Sequence, residues 1–323
     1  MRLSDYTVIV DEAIKGLDYP AGDLAGLYGP VSYGLEAGGK RIRPALVLMS
    51  AEAFGGEEAR RKALSAALGM EMFHNFTLLH DDVMDDSDTR RGRPSVKAKW
   101  DVNTAILSGD TMLTLATEKV ADVPDALLRP VLDAFNDMAL RVYEGQRLDM
   151  DFEKRDDVSL DEYLRMIRLK TGALLGASAQ IGALIGGATA EEAGKMYDYG
   201  CTLGLAFQIQ DDWLDVYGDA ATFGKPIGGD INNGKKSFLL LSALESRRPE
   251  ALAVKAAMSM GPGDIKVKTV TNLYDKIGVS EMARKEAAHY SSQAITALKG
   301  TRLDDDARQA FRALADKLTG RKR

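Results

Sequence analysis

The chain has 323 residues, 45% hydrophobic and 28% charged, enough to bury a large core as one large domain or two smaller ones. Its formal net charge of -6, with acid and base interspersed, excludes a global drive towards nucleic acid or an anionic membrane, so any anion site must be local. A single cysteine, Cys201, excludes a disulfide framework and a cysteine-rich zinc site and fits a reducing cytosol.

The N-terminus, MRLSDYTVIVDEAIKG, carries early acids and lacks the basic-then-apolar order of a secretory signal, so a cytoplasmic location is expected. Gly38-Gly39-Lys40-Arg41-Ile42-Arg43-Pro44 then joins a glycine turn to a helix opened by proline, a place that favours anions. Gly55-Gly56 predicts a break. From Leu64 the apolar positions Leu64, Leu68, Met72, Phe76, Leu79 and Val83 recur every three or four residues, the stripe of one long helix. That helix runs into LLHDDVMDDSDTRRGRP (78–94), where five aspartates between Asp81 and Asp88 are followed at once by Arg90, Arg91 and Arg93. Thr171 to Ala190 carries no charge and is long enough to raise the question of a membrane span. Gly172, Gly176, Gly182, Gly186 and Gly187 with Ser178 and Gln180 dilute it, and a close-packed core helix is the better reading, without stable membrane insertion. A second long helix passes through Leu203, Phe207, Trp213 and Tyr217, and Gly261-Pro262-Gly263 marks a late break. No alternating strands stand out and no linker divides the chain. The expectation is an all-α fold, a single large helical bundle over 1–323.

DDVMD at Asp81, Asp82 and Asp85 recurs as DDWLD at Asp211, Asp212 and Asp215. On a helix, residues four apart share a face, so each copy converges two carboxylates on one side, a donor set for a hard cation such as magnesium. An EF-hand counted from Asp86 fails, because Arg90 and Arg91 stand where an acid or Asn and then a Gly are needed. His74, His80 and His289 form no zinc pair of HExxH type. Arg90 and Arg91 suit a polyanion held by the cation, because guanidinium forks match phosphate oxygens. Acid then base therefore predicts metal plus diphosphate. Lys170, Lys225, Lys235 and Lys236 add positive charge, the last three around FGKPIGGDINNGKKS (223–237), whose glycines would let it close as a lid.

GGKRIRP at 38–44, the run from Glu71 and His74 to DDVMD and RRG, KTG at 170–172, FQIQDDWLD at 207–215 and GKPIGGDI at 224–231 together resemble the trans-prenyltransferases, the short-chain isoprenyl diphosphate synthases. The resemblance covers about residues 34–240 in order. It implies a homodimeric all-α isoprenoid synthase fold with two aspartate motifs across a central cavity. It also implies three magnesium ions per active site, or manganese in their place. Asp81, Asp85 and Asp211 would then be direct ligands, with Asp82, Asp212 and Asp215 completing or orienting the shell. Arg90, Lys170 and Lys225 would grip an allylic prenyl diphosphate, with Lys235 among the nearby cations, and isopentenyl diphosphate would sit against Lys40, Arg43, His74 and Arg91. Thr171 and Gln208 could stabilise positive charge on the reacting carbon, with Gln146 and Asp149 in support. Lys97 stands where many relatives have histidine, which puts that histidine's role in doubt here.

Side chains preceding Asp81 should line the cavity for the growing tail: Thr77 nearly beneath it, Phe76 five back, Phe73 about one turn deeper. An aromatic five positions upstream resembles the archaeal-type synthases that stop at the C20 geranylgeranyl product; farnesyl or longer products stay open. A class I terpene cyclase and a non-catalytic synthase subunit are the other readings. DDWLD and GGKRIRP argue against the first, and two complete aspartate motifs against the second. The basic tail Arg321-Lys322-Arg323 reads as a solvated terminus.

Overall fold

The computed structural model describes residues 2–219 and 227–320. The helices are α1 (Leu3–Lys15), α2 (Ala25–Glu36), α3 (Ile42–Lys62), α4 (Leu64–Met84), α5 (Val96–Lys99), α6 (Val102–Ala121), α7 (Asp125–Glu153), α8 (Leu160–Ile167), α9 (Ala173–Ile185) and α10 (Ala190–Tyr217). After them come α11 (Gly229–Asn233), α12 (Phe238–Glu245), α13 (Glu250–Met258), α14 (Asp264–Ile277), α15 (Val279–Ala297) and α16 (Asp305–Thr319). Among the described residues the only strands are β1 (Thr89–Arg90) and β2 (Arg93–Pro94), a minimal antiparallel hairpin. The all-α expectation holds.

The described residues divide into two compact units. The first takes them from Met1–Asp137, Ala177–Tyr197 and Gly300–Ala307, the second from Met138–Gly176, Asp198–Lys299 and Arg308–Arg323. In the first, α4 packs on α3 and α6. Leu68, Met72, Phe76 and Leu79 of the predicted stripe are buried and its ends Leu64 and Val83 half-buried, but Ala66, Ala67, Met70 and Phe73 are buried too, so the middle of α4 is enclosed on more than the striped face. The predicted break falls at Gly55-Gly56: α3 is two helical segments meeting at a kink, with Gly56 at φ 70°, a value that glycine adopts without steric cost. The C-terminal half of α9 packs on α3 so closely that a Cβ at Gly182 would lie 2.2 Å from the Val47 carbonyl oxygen. The glycines of the uncharged segment thus serve backbone-to-backbone packing, as expected of a core helix. Among the described residues no helix is long and apolar enough to cross a membrane.

The second unit builds its core from Ile167, Leu205, Ile209, Phe238, Leu239 and Tyr274. Between α8 and α9 the chain runs through one π-helical turn, Arg168–Gly172, which contains the KTG motif. Such turns recur at functional sites because the wider coil re-aims side chains. Close contacts hold it in place: a Cβ on Gly145 of α7 would meet the Lys170 backbone at 2.4 Å, and one on Gly204 of α10 would meet Gly172 at 2.6 Å.

Candidate active site

In the first unit the aspartate run is partitioned among cations. Arg90 donates from Nε at 2.9 Å and Nη2 at 2.5 Å to the buried Asp82 Oδ1. Burial pushes the Asp82 carboxyl up, against the opposing pull of Arg90. Lys97 pairs with Asp86 and, at 3.4 Å, with Asp88, so here it neutralises two carboxylates of the run. Asp81 and Asp85 stand one turn apart at the end of α4, Asp81 half-buried and Asp85 exposed. Arg91 and Gly92 sit at φ 53° and 73°, the two positive values that a two-residue hairpin loop of mirror-image type demands. This explains the RRG spacing. The turn returns Arg91 to the glycine loop, where it donates to the Gly38 carbonyl, and a Cβ on Gly39 would come within 3.0 Å of its guanidinium.

The two basic motifs are therefore joined. Arg43 Nη1 lies 3.1 Å from His74 Nε2, and because a guanidinium can only donate, Nε2 is the bare nitrogen of that imidazole. Burial first, then Arg43, Arg91, Arg90 and Arg41, hold His74 well below its ordinary value of 6.5, so it is neutral at pH 7. An unfolded chain takes up this proton below about pH 6.5 and the native one does not, so native stability falls as pH drops through that value. The thermal midpoint of the wild type is expected to fall more steeply from pH 7 to 5.5 than that of His74→Gln; parallel profiles would show that His74 is not protected. Lys40 is exposed on the same loop, and Tyr33, Asn75, Leu78, Asp82, Arg90 and Arg91 line an adjoining cleft.

In the second unit α10 carries Gln208, Asp211, Asp212 and Asp215. Asp212 is buried and fully engaged. Its Oδ2 accepts from the Tyr163 hydroxyl at 2.6 Å and the Phe238 N–H at 2.8 Å, and its Oδ1 from Gln208 Nε2 at 3.0 Å. Burial, with Asp230 adding to it, pushes this carboxyl up to about 7. Asp215 is buried too and accepts from the Asp230 N–H at 3.0 Å, tying α10 to α11. Thr171 Oγ1 donates to Gln208 Oε1 at 3.1 Å, and Lys170 Nζ donates to Asp149 Oδ2 at 2.6 Å. The π turn and the second aspartate motif are thus linked through Gln208. Lys235 is exposed just before α12; Lys225 and the basic tail lie outside the described residues.

Among the described residues no three His, Cys, Asp or Glu side chains are gathered to hold an ion by themselves. Magnesium takes one or two protein carboxylates and completes its shell with water and phosphate oxygens. In each motif the middle aspartate is bound into the fold; in the second the outer Asp215 is also buried and bonded, while Asp211 is half-buried. Thr77 donates to the His74 carbonyl at 2.8 Å. Phe76 is buried edge-on between Phe73, 5.5 Å away, and His80, 4.7 Å away, while Phe73 also meets Phe135 at 5.4 Å. Sequence reasoning missed Tyr163, which sits in no motif, and gave no role to Asp230, although it lies within the quoted GKPIGGDI. Arg41 reads from the sequence only as part of a basic run, and the fold supplies its partner Glu71, 30 residues away.

A helical fold with twin aspartate motifs and a paired set of basic turns defines the class as an enzyme acting on diphosphates. The chain belongs to the polyprenyl synthetase family, whose model matches residues 25–277, and it is a trans-prenyltransferase, a short-chain isoprenyl diphosphate synthase. It is similar to the short chain isoprenyl diphosphate synthase of Methanothermobacter thermautotrophicus, 40% identical over 87% of this chain and 86% of that protein. A crystal structure of a geranylgeranyl pyrophosphate synthase matches at TM-score 0.94 and 40% identity, with 100% of both chains covered. The geranylgeranyl pyrophosphate synthase of Corynebacterium glutamicum, solved in complex with isoprenyl diphosphate and magnesium, matches at TM-score 0.83 and 28% identity over 99% of this chain and 97% of that one.

Proposed function

We propose that this enzyme condenses isopentenyl diphosphate with an allylic prenyl diphosphate and delivers the C20 product, geranylgeranyl diphosphate. The observation that carries the reading is the shared construction of the two aspartate motifs: outer carboxylates four residues apart, with a buried middle aspartate held by Arg90 in one copy and by Tyr163 in the other. Asp81, Asp85 and Asp211, with Asp82, Asp212 and Asp215 completing or orienting the shell, would hold magnesium, which when bound neutralises the departing diphosphate. Lys170, held by Asp149, and Arg90, held by Asp82, grip that diphosphate as fixed cations that need no reorganisation when charge develops on it, with Lys225 as a third. Lys40, Arg43, Arg91 and the neutral His74 hold the second diphosphate, His74 as a hydrogen-bonding group that adds no charge. Thr171 and Gln208 turn oxygen dipoles towards the allylic cation, and the double bond of isopentenyl diphosphate traps it. The released diphosphate takes the proton, since no side chain here is an evident base. Water must stay out or the cation becomes an alcohol, the task for the loop around 223–237.

The family match runs through both compact units, which supports reading 1–323 as one domain. A homodimer is supported by the outer face of α6, where Val102, Ile106 and Leu107 are 47%, 41% and 59% exposed. The lone, buried thiol of Cys201 accords with the cytoplasm. The experiment is incubation of the purified protein with labelled isopentenyl diphosphate and dimethylallyl, geranyl or farnesyl diphosphate, with magnesium or EDTA, followed by product-length analysis. Magnesium-dependent C20 product is expected. Failure to consume isopentenyl diphosphate with any primer would reject the reading.

A further inference from the structure

Arg41 stands in the chain between Lys40 and Arg43, the two loop cations proposed to meet substrate, and gives its guanidinium to Asp11, Glu71 and Leu35, whereas Arg43 meets His74. Its backbone is left-handed, φ 47° and ψ 33°, a strained conformation for a residue with a Cβ that persists only where the surroundings enforce it. The enforcement is visible in its side chain, 4% exposed, whose guanidinium donates from Nε to Asp11 Oδ1 at 2.9 Å, from Nη1 to Glu71 Oε1 at 2.6 Å and from Nη2 to the Leu35 carbonyl at 2.7 Å. Asn75 Nδ2 completes Glu71 at 3.1 Å. Arg41 to Glu71 and Arg43 to His74 are thus two rungs, one helical turn apart, between the start of α3 and the face of α4. Arg91 grips the Gly38 carbonyl from the opposite end of the loop.

We infer that Arg41 is a positioning residue for isopentenyl diphosphate: by anchoring the strained turn to α1, α2 and α4 at once, it sets where Lys40 and Arg43 present their charges. The inference rests on the proposed placement of isopentenyl diphosphate at Lys40, Arg43, His74 and Arg91. A lysine at position 41 keeps the charge but not the planar fork, so it cannot serve three partners in three directions. Asp11 is the one partner at the solvent edge, its side chain 48% exposed, and its substitution spares the buried Arg41–Glu71 pair.

The test compares steady-state kinetics of Arg41→Lys, Asp11→Asn and Arg43→Ala with the wild type, beside circular dichroism and thermal midpoints. Arg41→Lys should raise the KM for isopentenyl diphosphate about tenfold or more, the scale of one misaligned charge-assisted hydrogen bond. The allylic KM and kcat should stay within about threefold, and Asp11→Asn should move the same KM in the same direction by less. A merely structural Arg41 would lower the midpoint and the active fraction while leaving KM unmoved, which would overturn the inference while Arg43→Ala still raised KM. If Arg41→Lys fails to fold, an unmoved KM in Asp11→Asn overturns it equally. An unmoved KM in Arg43→Ala would remove the substrate placement and the inference with it.

Discussion

Asp81→Ala and Asp211→Ala are each expected to cut kcat by about a thousandfold or more, roughly 4 kcal/mol of lost transition-state stabilisation. Both residues are half-buried, in contrast to the buried Asp82 and Asp212, and they are outer carboxylates of their motifs, the ones proposed to hold the metal. Removing either should leave the helical signal and thermal midpoint close to those of the wild type. Added magnesium should not restore the rate, because the missing oxygen ligand is part of the charge that neutralises the departing diphosphate. The middle aspartates separate site from scaffold. Asp82→Ala strands the Arg90 guanidinium, and Asp212→Ala strands the Tyr163 hydroxyl and the Phe238 N–H, so these variants should lose stability along with activity. Steady-state rates at saturating substrate, paired with melting curves, distinguish the two patterns. A near-normal rate for Asp81→Ala or Asp211→Ala would remove that carboxylate from the metal site.

Phe76→Ala is expected to shift the product from C20 to C25 and longer. Five residues before Asp81, the ring lies about 7.5 Å along the α4 axis from the reacting end, at the depth where a growing tail would meet it. Its neighbours define what removal does: Phe73 is packed edge-on at 5.5 Å and is pinned by Phe135, so the next barrier is one turn deeper and stays in place. Truncating a fully buried aromatic ring also leaves a cavity, costing about 3–5 kcal/mol of stability. Product analysis should therefore be run well below the lowered melting temperature. An unchanged chain-length distribution from a folded Phe76→Ala enzyme would show that the tail ends elsewhere.

Much of the site is legible in the sequence because helix periodicity is local. The Leu64–Val83 stripe, the spacing of Asp81 with Asp85 and of Asp211 with Asp215, and the glycines that admit close helix packing all follow from the 3.6-residue turn and need no knowledge of partners. The RRG turn was readable as base but not as geometry. Its positive backbone angles at Arg91 and Gly92 explain why the arginine returns to Gly38. The π turn at KTG has no signal in the apolar pattern, since it inserts a single residue into helix that otherwise looks continuous.

What the sequence determined by itself is the chemistry on offer: two pairs of carboxylates on helix faces, guanidinium and ammonium groups beside them, and an aromatic ring below one pair. Tertiary structure alone decided the division of labour. Asp212 meets Tyr163 across 49 residues of chain and Arg41 meets Glu71 across 30, partnerships imposed by the cost of burying an unpaired polar or charged group. No local rule names those partners, because a buried charge accepts whichever donor the packing of distant helices brings within reach.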